Sequence, residues 1–338
     1  MAKKVVVVGG TGNMSTGIVR LLVEKGYDVT IYARGTSYLE PNPDARVIKG
    51  DRHDGTFIET MRKENFDFAI DMITHSLQDA KDSYEAFRDC ERYVFCSTGA
   101  VATPFLSTKC PIREYDWQAV PSWAYGVAKK SCEDYFMMRY HEHGFHVTIL
   151  RPATTYGRTP GLVRQTGNIS GVNNVWINRI EKGKPIVVGN PHIMRSFMHA
   201  DDTAAAFVGA LNHSICDGQA YNLVGENCID WGMYNRALMK AIGKEVEMVE
   251  VPIETLEAFV DENFQIGPMV YESFLYNGFF SGEKIAKDIP EFHQNIDIEK
   301  GMELAYEFYK SRNMIPDCDA YTLEDEIIAA QKATRIRR

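Results

Sequence analysis

A tyrosine and a lysine four residues apart, Tyr125 and Lys129, form the pair in this sequence best suited to moving a proton. On a helix, residues at this spacing lie on the same face. A neighbouring ammonium group stabilises a phenolate, so it should lower the tyrosine pKa from its usual value of about 10. Such a phenol can take a proton from a substrate hydroxyl while hydride leaves the same carbon. Because many surface helices contain this spacing, the pair needs support from the rest of the chain.

A hydroxyl group at the end of an apolar run supplies the next candidate. Residues Tyr93–Ser97 form a short apolar stretch typical of a buried strand, and Thr98 follows it directly. The next such stretch ends at Leu150-Arg151-Pro152. Ligands bind at the carboxyl edge of a parallel sheet. We therefore expect the Thr98 hydroxyl at that edge.

A glycine-rich turn lies near the start of the chain, in the stretch VVVVGGTGNMSTG. Gly9, Gly12 and Ser15 have the spacing of a dinucleotide-binding loop, with serine in the third place. A turn of this kind between a strand and a helix brings free N–H groups and the positive end of the helix dipole to a pyrophosphate. The stretch therefore predicts nucleotide binding.

The end of the second predicted strand bears on which dinucleotide is bound. Enzymes that use NAD usually carry a carboxylate there for the ribose 2′-hydroxyl, whereas an arginine suits the 2′-phosphate of NADP. Here Ala33 takes the place of the acid and Arg34 follows. The sequence favours NADP over NAD, although Arg34 as a solvated loop residue beside NAD remains the alternative. Asp51 and Arg52 should lie near the adenine, with Asp51 as a simple turn residue the other interpretation.

The elements that position these groups alternate along the first half of the chain. Predicted strands share short, β-branched, apolar runs and cover Lys4–Val8, Val29–Tyr32, Ala45–Lys49, Phe68–Met72, Tyr93–Ser97 and Val147–Leu150. Helical patterns cover residues 18–23, Leu77–Arg88, Ser131–His143, Val175–Ile180 and Thr203–Leu211. Strands and helices in this rhythm predict an α/β fold, a Rossmann-type doubly wound parallel sheet with a second, smaller C-terminal substrate lobe.

The rhythm breaks after residue 152, and this sets the predicted domains. We expect a Rossmann domain over residues 1–155, with residues 196–224 returning to it. Residues 156–195 and 225–310 would form the substrate lobe, and residues 311–338 a C-terminal tail or helix.

Composition excludes several classes of protein. The 338 residues carry a net charge of −9, which argues against nucleic acid or an anionic membrane as the main partner. The seven cysteines show no metal spacing, and no signal peptide or long apolar span is evident, so we expect a cytoplasmic protein with reduced thiols. The stretch HEHGFH, residues 141–146, is better explained as the polar end of a helix than as a metal site, so no metal is predicted.

Taken together, the motifs resemble those of the extended short-chain dehydrogenase/reductase family, the NAD(P)-dependent sugar epimerase and dehydratase group. The resemblance covers at least residues 3–225 and rests on the stretches GGTGNMS, FCST, Pro111-x-x-Glu114, YGVAK, ILRPATTYG and RSFMHADD.

The resemblance implies roles for individual residues. Tyr125 would be the general base, Lys129 its partner and a ligand of the cofactor ribose, and Thr98 the third hydroxyl group, in contact with substrate. Pro152 would lie against the nicotinamide, and Arg195 would bind substrate phosphates unless it is an ordinary surface ion pair. The cofactor loop would consist of Gly9, Thr11, Gly12, Asn13 and Met14.

One departure from the family pattern narrows the activity. Thr98 is followed by Gly99 and Ala100, where dehydratases of nucleotide sugars carry an acid pair, so dehydration is disfavoured. We therefore expect an NAD(P)-dependent epimerase or dehydrogenase/reductase acting on a hydroxyl or carbonyl group of a sugar or nucleotide-sugar. The alternatives are a non-catalytic nucleotide-sensing or RNA-associated protein, and an NADP-dependent carbonyl reductase of a non-sugar substrate. The resemblance is compatible with a homodimer.

Overall fold

The computed structural model describes residues 2–102, 109–116, 121, 123–225 and 227–336. The strands of this part of the chain are β1 (Lys4–Val8), β2 (Asp28–Ala33), β3 (Arg46–Lys49), β4 (Phe68–Asp71), β5 (Arg92–Cys96), β6 (Val147–Pro152), β7 (Thr154–Tyr156), β8 (Ile186–Val188), β9 (Met194–Arg195), β10 (Phe197–His199), β11 (Gln219–Leu223), β12 (Ile229–Asp230) and β13 (Met248–Glu250).

The α-helices of the described residues connect these strands and form the C-terminal end. They are α1 (Ser15–Glu24), α2 (Phe57–Glu64), α3 (Leu77–Phe87), α4 (Ala124–His143), α5 (Val175–Glu181), α6 (Thr203–Asn212), α7 (Trp231–Ile242), α8 (Ile253–Glu257), α9 (Pro268–Leu275), α10 (Glu283–Asp288), α11 (Ile298–Ser311) and α12 (Leu323–Ile336).

A seven-stranded parallel sheet in the order β11-β6-β5-β4-β1-β2-β3 forms the centre of the fold. The order reverses beside β1, which creates the crevice where ligands bind in doubly wound folds. Six of the strands coincide with predicted ones within two residues. Five of them are mostly buried, and strands covered on both faces select continuous apolar runs, whereas the edge strand β3 is largely exposed. The seventh, β11, lies in the stretch expected to return to the Rossmann domain, but its alternation of polar and apolar residues concealed the strand. The α/β Rossmann-type prediction is confirmed.

Helices cover both faces of this sheet. On one face α1 packs against α6, where Ile18, Leu22 and Phe207 are fully buried. On the other face α2, α3 and α4 pack in series, with Phe57 and Phe136 in the core. Burial of such a side chain stabilises the fold by about 1.5–3 kcal/mol. The sheet edge is therefore held between two rigid layers.

Helix α4 begins seven residues earlier than the sequence pattern indicated. Its predicted start was Ser131, whereas the helix runs from Ala124 to His143. The first two turns bury a charged side chain, Lys129, and a glycine, so the apolar stripe that marks a helix is absent there. The earlier start places both Tyr125 and Lys129 within the helix, as the spacing argument requires.

The remaining residues form further apolar clusters beyond the sheet. One surrounds Trp176, Trp231 and Tyr309, and α11 packs against α7 within it. Helix α12 is tied to the same region through Glu324, which accepts hydrogen bonds from Arg164 Nη1 at 2.9 Å and from the backbone N–H of Val187 at 2.7 Å. Among the described residues, no helix is long and apolar enough to cross a membrane.

Candidate active site

The glycine-rich turn lies between β1 and α1, at the carboxyl edge of the sheet. Gly9 has φ +81° and its N–H donates to the carbonyl of Tyr32 at 2.8 Å. A Cβ atom on Gly9 would lie 2.6 Å from Ile73, so only glycine fits both the backbone conformation and the space. This absence of a side chain leaves an open backbone surface at the N-terminus of α1.

A cleft of 480 Å³ opens over this turn, and we call it the dinucleotide cleft. Of the residues predicted to bind the cofactor, it is lined by Gly9, Thr11, Gly12, Arg34, Asp51 and Arg52. Asn13 and Met14 lie in the same turn without lining the cleft, and Met14 packs on the core. The side-chain oxygen of Asn13 is buried and has no hydrogen-bond partner among the described residues. The glycine cradle, the cleft and the unpartnered oxygen fit a dinucleotide.

The two cations of the cleft have different surroundings. Arg34 is exposed at the end of β2 and makes no ion pair or hydrogen bond with any residue that the structure describes. Arg52 is buried and its guanidinium points into the fold, where it donates to the carbonyl of Asp79 and to Ser83 at 2.9 Å. Asp51 accepts a hydrogen bond from the N–H of His53 at 3.0 Å, as expected for the turn residue that was the other interpretation. Asp51 also lines the cleft. Only Arg34 thus offers a free guanidinium.

A buried carboxylate, Asp71, accounts for the direction of Arg52. Both oxygens of Asp71 lie 3.4 Å from Arg52 Nη1, and Asp71 is fully buried. Burial raises the pKa of Asp71, but Arg52 and the hydrogen bonds lower it by a larger amount. The net shift of the Asp71 pKa is therefore downward. The other donors to Asp71 are the hydroxyl groups of Thr74, Ser83 and Tyr93, at 2.8, 2.8 and 3.1 Å, and the backbone N–H of Ile73 at 3.0 Å. This network forms the floor beneath the cleft.

Lys129 is held by backbone oxygens at the sheet edge. Its ammonium donates to the carbonyl groups of Thr74 and Cys96 at 2.7 and 2.8 Å, and the residue is 1% exposed. Burial lowers its pKa. The ammonium therefore bridges the ends of β4 and β5, at the place where a cofactor ribose would cross the sheet.

Tyr125 stands between two cavities. Its ring centroid lies 6.4 Å from that of His75, which lines the dinucleotide cleft, and 5.5 Å from that of Trp123, which lines a second pocket. Its hydroxyl group is hydrogen-bonded to the side chain of Thr98. The expected lowering of the Tyr125 pKa is wrong for this state of the protein. Burial raises that pKa, the hydrogen bond from Thr98 opposes the shift, and the Lys129 ammonium is bound to carbonyl groups instead.

The second pocket has a volume of 260 Å³ and we call it the substrate pocket. Thr98, Pro152 and Arg195, all predicted site residues, line it together with Trp123. Arg195 is not the surface ion pair that was the alternative, because it is 8% exposed. Most of the predicted cofactor and substrate residues thus line one of the two cavities, whereas Tyr125 and Lys129 line neither and are placed at the sheet edge by their contacts.

Two residues of the site were missed by sequence reasoning. His75 follows β4 and faces the cleft and Tyr125, a place that the position of the strand end could have indicated. Glu272 on α9 lines the substrate pocket, and nothing in the sequence marks it because α9 belongs to the mixed C-terminal region.

Gly126 determines how closely α4 approaches Thr98. A Cβ at this position would lie 2.3 Å from the carbonyl oxygen of Ala100 in the short helix Gly99–Val101. We expect Gly126→Ala to push α4 away, to cost about 1–3 kcal/mol in the free energy of unfolding and to separate Tyr125 from Thr98. Urea unfolding and any turnover assay measure this. The matched control is Gly267→Ala, where nothing lies within 4 Å of the new Cβ. If Gly126→Ala behaves like this control, the close contact is not needed.

The fold and the site together define an extended short-chain dehydrogenase/reductase. The sequence profile of the NAD dependent epimerase/dehydratase family matches residues 5–223. The chain belongs to this family.

Individual relatives share about a quarter or less of their residues with this chain. The chloroplast stem-loop binding protein of 41 kDa b from Arabidopsis thaliana is 25% identical over 343 residues, covering 97% of this chain and 84% of the relative. The 2'-dehydrokanamycin reductase of Streptomyces kanamyceticus is also 25% identical, covering 74% of this chain and 70% of the relative. Among solved structures, the UDP-glucose 4-epimerase of Thermotoga maritima with UDP-glucose has a TM-score of 0.69 at 19% identity, covering 92% of this chain and 99% of that one. Family membership and the Streptomyces reductase support an enzyme.

Proposed function

We propose that the protein is an NAD(P)-dependent oxidoreductase or epimerase that acts on a hydroxyl or carbonyl group of a sugar or nucleotide-sugar. The observation that carries this proposal is the position of Tyr125, whose side chain contacts one residue of the dinucleotide cleft and two of the substrate pocket. A phenol between a cofactor site and a substrate site is placed to exchange a proton with the atom next to the reacting carbon.

The proton step is assigned to this chain's own residues. A bound nicotinamide supplies or accepts the hydride. Because burial raises its pKa, the Tyr125 phenol is protonated at neutral pH and can donate to a carbonyl oxygen, which is the proton step of a reduction. Thr98, hydrogen-bonded to that phenol, holds the same substrate oxygen. Lys129, whose ammonium is held by the carbonyl of Thr74, is the ligand of the cofactor ribose.

Dehydration of the substrate is disfavoured because the acid pair that dehydratases carry after this threonine is absent. The two residues after Thr98 form the short helix Gly99–Val101 and carry no carboxylate. Epimerisation and reduction differ in whether the hydride returns to the substrate. A cofactor that co-purifies with the chain at one equivalent and does not exchange indicates an epimerase, whereas a cofactor consumed in proportion to product indicates a reductase.

The cofactor proposed is NADP rather than NAD, because Arg34 is exposed and unpaired among the described residues and the side chain of Lys49 reaches the loop at Gly35 beside it. We expect Arg34→Ala to raise the Kd for NADPH about 10- to 100-fold, the loss of a hydrogen bond to a charged group, and to leave the Kd for NADH nearly unchanged. Fluorescence titration measures both. Arg20→Ala, on the exposed face of α1, is the control, and equal losses for the two cofactors would contradict the assignment.

A second candidate function is association with RNA, favoured by the Arabidopsis relative, which is named as a stem-loop binding protein and aligns along 97% of this chain. The net charge of −9 weighs against it. The two functions are separated by a gel-shift titration with a stem-loop RNA beside a hydride-transfer assay with a panel of sugar carbonyls. RNA binding without hydride transfer would overturn the enzymatic proposal.

A further inference from the structure

The substrate pocket contains an electrostatically balanced pair. The charged side chains that line it, among the described residues, are Arg195 and Glu272. Burial lowers the pKa of Arg195, while the negative charge of Glu272 acts in the opposite direction. The pair therefore presents one positive and one negative group to a ligand, with no net charge.

Two buried hydrogen-bond donors in the pocket have no partner among the described residues. They are Nε of Arg195 and Nε1 of Trp123, and both side chains line the pocket. Arg195 Nη2 has only a long contact, 3.4 Å, to the hydroxyl of Ser273. Buried donors are normally satisfied, so these two point to a ligand with several oxygen acceptors.

A second cation for a pyrophosphate is missing from the described lining. The other arginines of this region are paired with carboxylates: Arg158 with Asp201, Arg164 with Glu324, and Arg179 with Asp325. A pyrophosphate carries a negative charge on each phosphate group, and in a pocket that Glu272 also lines its approach to that carboxylate is unfavourable.

The volume of the substrate pocket also favours a small ligand without a pyrophosphate. The described residues enclose 260 Å³, below the range of about 300–1,000 Å³ typical of sites for larger ligands. A single polyhydroxylated ring fits a pocket of this volume better than a nucleotide-sugar does.

We infer that the substrate is a phosphate-free polyhydroxylated ring, neutral or amino-bearing, whose oxygens accept hydrogen bonds from Arg195 and Trp123 and whose hydroxyl or amino group donates to Glu272. This inference rests on the proposed function, because it assigns the substrate pocket to the same reaction. It gives Arg195 a hydroxyl partner in place of the phosphates that the family resemblance implied.

The test uses the full chain with NADPH and three probes: myo-inositol, glucosamine and UDP-glucose. Saturation-transfer NMR should show both phosphate-free probes binding, and calorimetry should show no saturable binding of UDP-glucose up to about 1 mM. Arg195→Met should weaken both phosphate-free probes about tenfold, and Glu272→Gln should weaken glucosamine by about the same factor. Glu262→Gln, an exposed position outside the pocket, is the control for the glutamate change.

The outcomes separate this inference from the proposed function. Micromolar binding of UDP-glucose that strengthens in Glu272→Gln overturns the substrate class, as does failure of both phosphate-free probes to bind. Hydride transfer to nucleotide-sugars alone overturns the class but keeps the enzymatic proposal. Binding of the phosphate-free probes with the expected variant effects, but without hydride transfer to any related carbonyl, supports the class and contradicts the enzymatic proposal. Because Arg195 is buried, the melting temperature of each variant is measured alongside.

Discussion

Tyr125→Phe is expected to lower kcat by about 100- to 10,000-fold, the range that positioned proton transfer contributes. The ring of Tyr125 contacts His75 and Trp123, and phenylalanine keeps those ring contacts. Only the hydroxyl group is lost, together with its hydrogen bond to Thr98. The side chain is 40% exposed, so the free energy of unfolding should change by less than about 1 kcal/mol.

The measurement is steady-state turnover with the cofactor titrated separately, so that a binding defect is not read as a chemical one. Tyr140→Phe is the matched control, since it removes a hydroxyl from the same helix about 22 Å further along the axis. Cofactor affinity should be equal in the two variants and the wild type. Retention of turnover in Tyr125→Phe would remove the central group from the proposed reaction.

Arg52→Met is expected to cost about 3–5 kcal/mol in the free energy of unfolding at neutral pH, because it leaves the Asp71 carboxylate buried without a cation. Asp71 is fully buried, and Arg52 is the nearest cation in its network. Urea unfolding gives the loss directly. The matched control is Arg62→Met, which breaks the exposed pair with Glu85 and should cost less than about 1 kcal/mol. Equal losses at the two positions would contradict the structural role of Arg52.

As the pH falls, the free energy of unfolding of the wild type should decrease, whereas that of Arg52→Met should increase. In the wild type the pKa of Asp71 is lowered, so its contribution to stability is complete above the unfolded-state value of about 3.9 and is lost as the pH falls through the folded-state value. In Arg52→Met only the hydrogen bonds oppose the effect of burial on the Asp71 pKa, so we expect the folded-state pKa to rise above the unfolded one. The variant should therefore regain part of its stability as the pH falls from 7 towards about 4. Unfolding curves across this range distinguish the two.

Much of the fold was accessible from the sequence because most strands of the central sheet are buried on both faces. The run of four valines at residues 5–8 becomes a central strand with no exposed side chain, and such runs have few other uses in a soluble fold. The start of α4 was not accessible, since it buries Lys129 and Glu133, and a helix with charged residues in its core shows no apolar stripe. The short helix α2 was missed because only Phe57 and Met61 of its eight residues are buried.

The position of a site residue was predictable where that residue directly follows a strand. Its role was not predictable where the role depends on another side chain that binds it. Thr98 and Arg34 lie at the expected edge. Arg52 follows β3 as well, but its guanidinium is bound by Asp71 at the end of β4, an ion pair that the sequence does not show. Glu272 comes from α9, well beyond the last motif at residues 195–202, so only the folded chain brings it to the pocket.

The two carbonyl groups that hold Lys129 have an entropic consequence. A lysine side chain loses up to about 2 kcal/mol of rotational freedom when it is immobilised. Here the loss occurs as the chain folds, since the ammonium is fixed by Thr74 and Cys96 before any nucleotide arrives. In the proposed role of Lys129, the cofactor ribose would meet a donor whose orientation is already set, and its affinity would not be reduced by ordering that side chain.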